Sequence, residues 1–236
     1  MKAFKIVSSS ISLVSEKFLV FFMMIFPVII FETLWHISGG LHTDGIVTIG
    51  SIGIIIFFVL MTIYGIKAVV GIHRFIILNE NYSYSITKDG SIIIKIALFG
   101  FIISIIAVVP ITTNPIWLIY LSSYPVLSIV LLVLAFFFAF LFISSLSLGF
   151  PLIAIGENKS AFNLLSIFRL AKGYRLLLFF QFLMIMLPYV FLITLANTFI
   201  NNLLFVTVLN ILLKAYATIL LVCSISNTYL LWKDKN

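Results

Sequence analysis

Lys214 and Glu32 are ionisable side chains set among long apolar stretches, where an unpaired charge costs about 3 kcal/mol. Each therefore needs a partner, and their estimated depths, within about 10 Å of one another at 1.5 Å per residue, bring them into a lysine's reach if their helices adjoin. Such a pair could relay a proton or ion. It could equally be a structural tie, or Lys214 could snorkel towards an interface. Asn210 lies one turn from Lys214. A second group, Glu32, His36, His42 and Asp44, has ligand types suited to zinc or to a pH response. Its spacing matches no metal motif, so it reads as a solvated polar cap with no metal. A third group, His73, Arg74 and Glu80, could hold an acid and a base seven residues apart on one helix face, or meet lipid phosphate. The chain has no Gly-x-Ser-x-Gly elbow, no His-Glu-x-x-His, no phosphate-cradling Gly-Lys-Ser/Thr loop and no paired aspartates within an apolar block.

The elements that must carry these residues follow from composition. Of 236 residues, 63% are hydrophobic and 9% charged, against about a quarter charged in soluble domains. The apolar residues come in uninterrupted blocks, which excludes a water-soluble fold and argues for helices crossing a bilayer. Six blocks are long enough: about 18–36, 46–66, 91–110, 126–145, 176–195 and 204–224, the last extending to Trp232. The expected fold is all-α, a polytopic bundle of six transmembrane helices forming one membrane domain over residues 1–236. The first block is long and lacks a small-residue cleavage site, so it is expected to be retained.

Sidedness follows from Lys and Arg, which stay with short cytoplasmic loops. Thirteen of the fourteen cations fall before the first block, in the second and fourth connections with their flanks, or at the C-terminus; Lys214 is the exception. Both termini are thus expected in the cytoplasm. The net charge of +7 suits anionic headgroups on that leaflet, and no basic module with interleaved aromatics points to nucleic acid. Cys223, the single cysteine, allows no internal disulfide.

Two further stretches read as amphipathic interfacial helices. In the first, Phe4, Val7, Ile11, Val14 and Phe18 mark an apolar face. The second starts from Asn158 as N-cap, with Ala161, Leu164, Leu165, Phe168 and Ala171 apolar, Asn163, Ser166, Arg169 and Lys172 polar, and Gly173 as its stop. Arg169, Lys172 and Arg175, with His73 and Arg74, are the expected headgroup contacts. In the third block, Ala97, Gly100, Ser104 and Ala107 form a small-residue stripe suited to close helix packing, and Pro27 and Pro188 fall inside blocks one and five. Glu80, Glu157 and Asp234 recur at intervals of 77 residues, each after an apolar helix end, which suggests three related hairpins.

The run Pro151-x5-Glu157-Asn158-x-Ser160, with Leu164 or Leu165 and then Arg169-Leu170-x-Lys172-Gly173-x-Arg175, resembles a diverse group of bacterial six-span inner-membrane proteins of unknown function. That group is loosely similar to the membrane domain attached to some glycerophosphodiester phosphodiesterases. The segment from His73 to Glu80 resembles a His-Arg-x-x-Leu-Leu-Gly-Glu stretch in uncharacterised bacterial proteins, with Asn79 replacing the glycine. The resemblance implies a bacterial cytoplasmic membrane and transfers no catalytic residue and no cofactor. The expected function is a non-enzymatic accessory or envelope-associated component acting through lipid and a membrane-protein partner. The alternatives are a small-solute or ion-coupled transporter using Lys214 and Glu32, and an intramembrane lipid-modifying enzyme using His73, Arg74 and Glu80.

Overall fold

The computed structural model describes residues 2–37, 51–81, 90–120, 125–157, 163–200 and 202–235. These form nine helices and no strand among the described residues: α1 (Lys2–Glu16), α2 (Phe18–Ile37), α3 (Ser51–Leu78), α4 (Gly90–Tyr120), α5 (Pro125–Leu146), α6 (Gly149–Ala154), α7 (Leu164–Leu170), α8 (Arg175–Phe199) and α9 (Leu203–Lys233). Among the described residues five stretches are long and apolar enough to cross a bilayer, at Phe18–His36, Gly53–Leu78, Phe137–Ala154, Arg175–Phe199 and Leu203–Lys233; Gly90–Ile105 is a shorter apolar helix. Bulky apolar side chains such as Phe101, Phe138, Phe191 and Leu203 stand exposed along them, as lipid-facing residues do.

The helix ends have local causes. Pro125 opens α5, where its missing N–H is no loss. Pro151 ends the same run: a proline cannot bond to, and collides with, the carbonyl four residues before it, so the chain breaks at Ser147 and Leu148. Phe150 N–H instead donates to Ser147 O at 3.1 Å. Gly149 is required at this break because a Cβ there would overlap the ring of Phe99 and approach Ile167 Cδ1 to 2.9 Å. Asn79 caps α3 in the left-handed region at φ 54°.

α9 is the central helix, touching α1, α2, α3, α6 and α8. It joins two cores. Ile225 and Tyr229 belong with Phe99, Leu152 and Ile167 in one; Val222 and Cys223 belong with Val14, Phe21 and Ile72 in the other.

Several expectations are corrected. α3 runs on to Leu78 instead of ending near Ile66, so Lys67 and His73 are carried into the bundle, 2% and 1% exposed. α4 continues past Pro110 to Tyr120. α1 is not simply an interfacial helix with one apolar face. Val7 and Val14 continue into Phe21 as a buried heptad stripe, whereas Phe4, Ile11 and Phe18 form an exposed one. The first stripe packs on the bundle, where α1 contacts α8 and α9. The second amphipathic helix is capped by Asn163, whose side chain accepts from Ser166 N–H at 3.1 Å. Its proposed cap Asn158 lies outside the described residues, as does Ala161. Leu164, Phe168 and Ala171 of the expected apolar face pack on the core, Ile167 joins them fully buried, and Leu165 is exposed instead. In α4 the packing stripe is Ile93, Ile96, Phe99 and Ile103, and a Cβ on Gly100 would meet nothing within 4 Å. Bulky side chains win that interface because they fill the space beside α6. Ala107's side-chain surroundings are not described.

Candidate functional site

One end of the bundle gathers the start of α1, the α7–α8 turn and the end of α9 around a groove of about 1020 Å³. Lys2, Lys5, Ile6 and Ser9 of α1 form one wall; Arg169, Leu170, Lys172, Gly173, Tyr174 and Leu177 another; Leu231, Trp232 and Lys235 the third. Five of these residues are cationic and none is acidic. Arg169, Lys172 and Lys235 are exposed at its edge.

Neutral hydrogen bonds hold the three walls together. α1 is fastened by Ser10, which is fully buried and whose Oγ accepts from Asn227 Nδ2 at 3.0 Å and Ser224 Oγ at 3.2 Å. The α7–α8 turn closes through Gly173 at φ 90°, a left-handed conformation that favours glycine. Tyr174 OH then donates to Leu231 O at 3.3 Å, tying α8 to the end of α9. Lys235 Nζ sits 5.9 Å from the centroid of the Tyr174 ring, within cation–π range. Deeper in, Gln181 Nε2 donates to Thr228 Oγ1 at 3.0 Å, and His73 Nδ1 meets Ser226 Oγ at 2.7 Å.

The polar run Ser224, Ser226, Asn227 and Thr228 therefore clamps three helices to α9, with Ser224 and Asn227 on α1, Ser226 on α3 and Thr228 on α8. In an apolar medium each such bond contributes about 0.6–2 kcal/mol. Sequence reasoning passed over this run; the signal was a cluster of four small polar residues within five positions of α9.

The five expected headgroup contacts divide. Arg169 and Lys172 line the groove and are exposed. His73 is buried against Ser226 and cannot reach a headgroup, because α3 continues beyond it. Arg74 is engaged by Glu80, at 2.7 Å from Nε to Oε2, and also donates to Ala154 O at 3.3 Å. Arg175 turns inward over the Phe168 ring at 3.6 Å and donates to Phe168 O at 2.8 Å, stapling α7 to α8. His73, Arg74 and Glu80 are thereby split: Glu80 belongs to Arg74, and His73 to α9.

At the other end, Lys214 Nζ lies 2.5 Å from Glu32 Oε1, joining α9 to α2. Beside the pair is a cavity of about 80 Å³ lined by α2, α3 and α9, including Val28, Gly65, Ile72 and Thr218. Asn210 Oδ1 accepts from Tyr189 OH at 2.8 Å rather than bonding Lys214. His36 is exposed, and His42 and Asp44 lie outside the described residues. Among the described residues no three His, Cys, Asp or Glu side chains are grouped to hold a metal.

The acids at 77-residue intervals follow the ends of α3, α6 and α9, with different partners. Glu80 takes Arg74, Glu157 accepts from Tyr229 OH at 3.2 Å, and Asp234 is the C-cap of α9.

Comparison with family models, curated proteins and solved structures yields no match for this chain.

Proposed function

We propose that this chain is a non-enzymatic component of the bacterial inner membrane, with six spans and both termini cytoplasmic, that works through anionic lipid and a membrane-protein partner. The observation that carries this is the gathering of Lys2, Lys5, Arg169, Lys172 and Lys235 around one groove at one end of the bundle, with no acid in its lining. Exposed cations near an anionic leaflet contribute about 1 kcal/mol each. The interior polar groups support an architectural role: His73, Gln181, Ser10 and Thr228 are spent on ties between helices. The sixth span in this reading is α4, whose 31 residues exceed the thickness of a hydrocarbon core. The common position of Glu80, Glu157 and Asp234 after α3, α6 and α9 favours three related hairpins.

Lipid extracted from the protein purified in mild detergent is expected to be enriched in anionic species over the bulk membrane. An extract of bulk composition would overturn the reading. Cysteines placed at Asp44, Ser122 and Asn201 are expected to react with an impermeant reagent from outside, and those at Lys88 and Lys159 to be protected. The reverse pattern would invert the topology.

The transporter reading is favoured by one observation, the Glu32–Lys214 pair beside its small cavity. Reconstituted Lys214→Ala protein with every flux of the parent would remove it.

A further inference from the structure

The groove at the basic end is built differently from a merely charged surface. Its cations come from three separate elements, α1, the α7–α8 turn and the end of α9, and face a common space. The first turns of two helices border that space. α1 begins at Lys2, and α8 begins at Arg175, whose N-cap Tyr174 supplies no side-chain hydrogen bond to the first turn. α7 ends at Leu170 and α9 at Lys233 beside the same space, so the opposing helix dipoles offset one another and the positive charge is that of the side chains. Two acids lie close to this wall in sequence or contact: Asp234, the exposed C-cap of α9 beside Lys235, and Glu157, which accepts from Tyr229 OH, the Tyr229 ring in turn lying 5.7 Å from that of Trp232. Against the five lining cations they leave the groove basic. Below the cations lies an apolar floor of Ile6, Leu170, Leu177, Leu231 and the Trp232 ring.

Size and surroundings narrow the occupant. A groove of about 1020 Å³ is at the upper end of small-molecule sites and would be left mostly empty by a lone phosphate. Phe4 on α1, Leu165 on α7 and Leu176 on α8, 65%, 58% and 57% exposed, give this end an apolar skin. That skin suits acyl chains.

We infer that the groove is a discrete site for one phosphate-bearing amphiphile, its phosphate held among Lys2, Lys5, Arg169, Lys172 and Lys235 and its chain laid along Leu177, Leu231 and Trp232. This rests on the proposed contact of the basic end with anionic lipid, and adds to it a saturable site. The shared chemistry is a phosphate ester, and a lipid headgroup and free phosphate are the two sources to be separated.

The test uses the full chain in phosphatidylcholine vesicles containing phosphatidylglycerol, with Trp35→Phe and Trp117→Phe so that Trp232 alone reports. Either lipid carries brominated acyl chains, which quench a nearby indole. Brominated phosphatidylglycerol is expected to quench Trp232 with about a tenfold preference over brominated phosphatidylcholine, the scale set by a few interfacial cations. Arg169→Gln with Lys172→Gln should bring the preference close to onefold. Lys2→Gln with Lys5→Gln, on the opposite wall, should do the same and guards against a local folding defect. Lys17→Gln with Lys95→Gln, outside the groove, should leave it intact. Equal losses in all three pairs would overturn the discrete site while leaving the basic-end reading standing; no preference in the parent would remove both. Persistence of the quenching in inorganic phosphate supports a lipid occupant, and its relief supports the phosphate site with the free anion as ligand. Displacement by polyglutamate as readily as by short-chain phosphatidylglycerol would overturn the phosphate-ester assignment.

Discussion

The two ends of the bundle handle charge in opposite ways. At the Glu32–Lys214 end a single pair of opposite charges joins α2 to α9, 2.5 Å apart. At the basic end five like charges surround a groove, and the helices are held by neutral hydrogen bonds from Ser10, Tyr174 and Thr228. The difference follows from depth. Lys214 lies eleven residues beyond Leu203, about 17 Å along α9 at 1.5 Å per residue, where no headgroup can neutralise it. Lys172 and Lys235 sit where a helix ends and water and phosphate are within reach. A charge inside the apolar slab must be paired by the protein; a charge at its edge can be left for a ligand.

The largest expected effect breaks that pair. Lys214→Ala should destabilise the protein by about 3 kcal/mol, because Glu32 keeps a charge in the apolar layer without its partner. Combining it with Glu32→Gln should recover most of the loss, as read by thermal unfolding in detergent. No recovery would mean that the lysine stem, not the charge pair, holds α2 to α9. Next is the contact joining the basic end to the rest of the bundle. Gly149→Val should cost about 2 kcal/mol by driving a branched side chain into Phe99 and Ile167. Smaller again is Ser10→Ala, expected to cost about 1 kcal/mol by removing the acceptor of Asn227 and Ser224, and to release α1 to proteolysis. Smallest is Arg169→Gln with Lys172→Gln, which should change stability by under about 0.5 kcal/mol while altering lipid preference. A stability loss comparable to that of Lys214→Ala would show that the groove cations hold the fold, and the contrast between the ends would fail.

How much of this was legible varies by residue. Glu32 and Lys214 were paired from their depths alone, since charge in an apolar block demands a partner and the block lengths set the register. The gathering of cations at one end was legible from their spacing between apolar blocks. The roles of individual cations were not. His73 and Arg169 look alike in sequence, each near a block's end, yet one bonds Ser226 in the interior and the other lines an open groove. The difference lies in where α3 stops: it runs to Leu78, where Asn79 enters the left-handed region and the polar run Asn79-Glu80-Asn81 begins, so His73 falls inside the helix and not at its end.

Composition and hydropathy by themselves determined that the chain is helical, that several helices are apolar enough to span a bilayer, and that Lys214 needs an acid. These are properties of a segment and its solvent, and neighbours do not alter them. Tertiary structure decided which face of each helix is buried. In an apolar medium a side chain turned to lipid and one turned to a neighbouring helix have the same composition, so Ala97 and Gly100 lost the α4 interface to Ile96 and Phe99 only once α6 was in place. It also decided that Ser224, Ser226, Asn227 and Thr228 would each find a partner on another helix, and that cations from three distant stretches would share one groove.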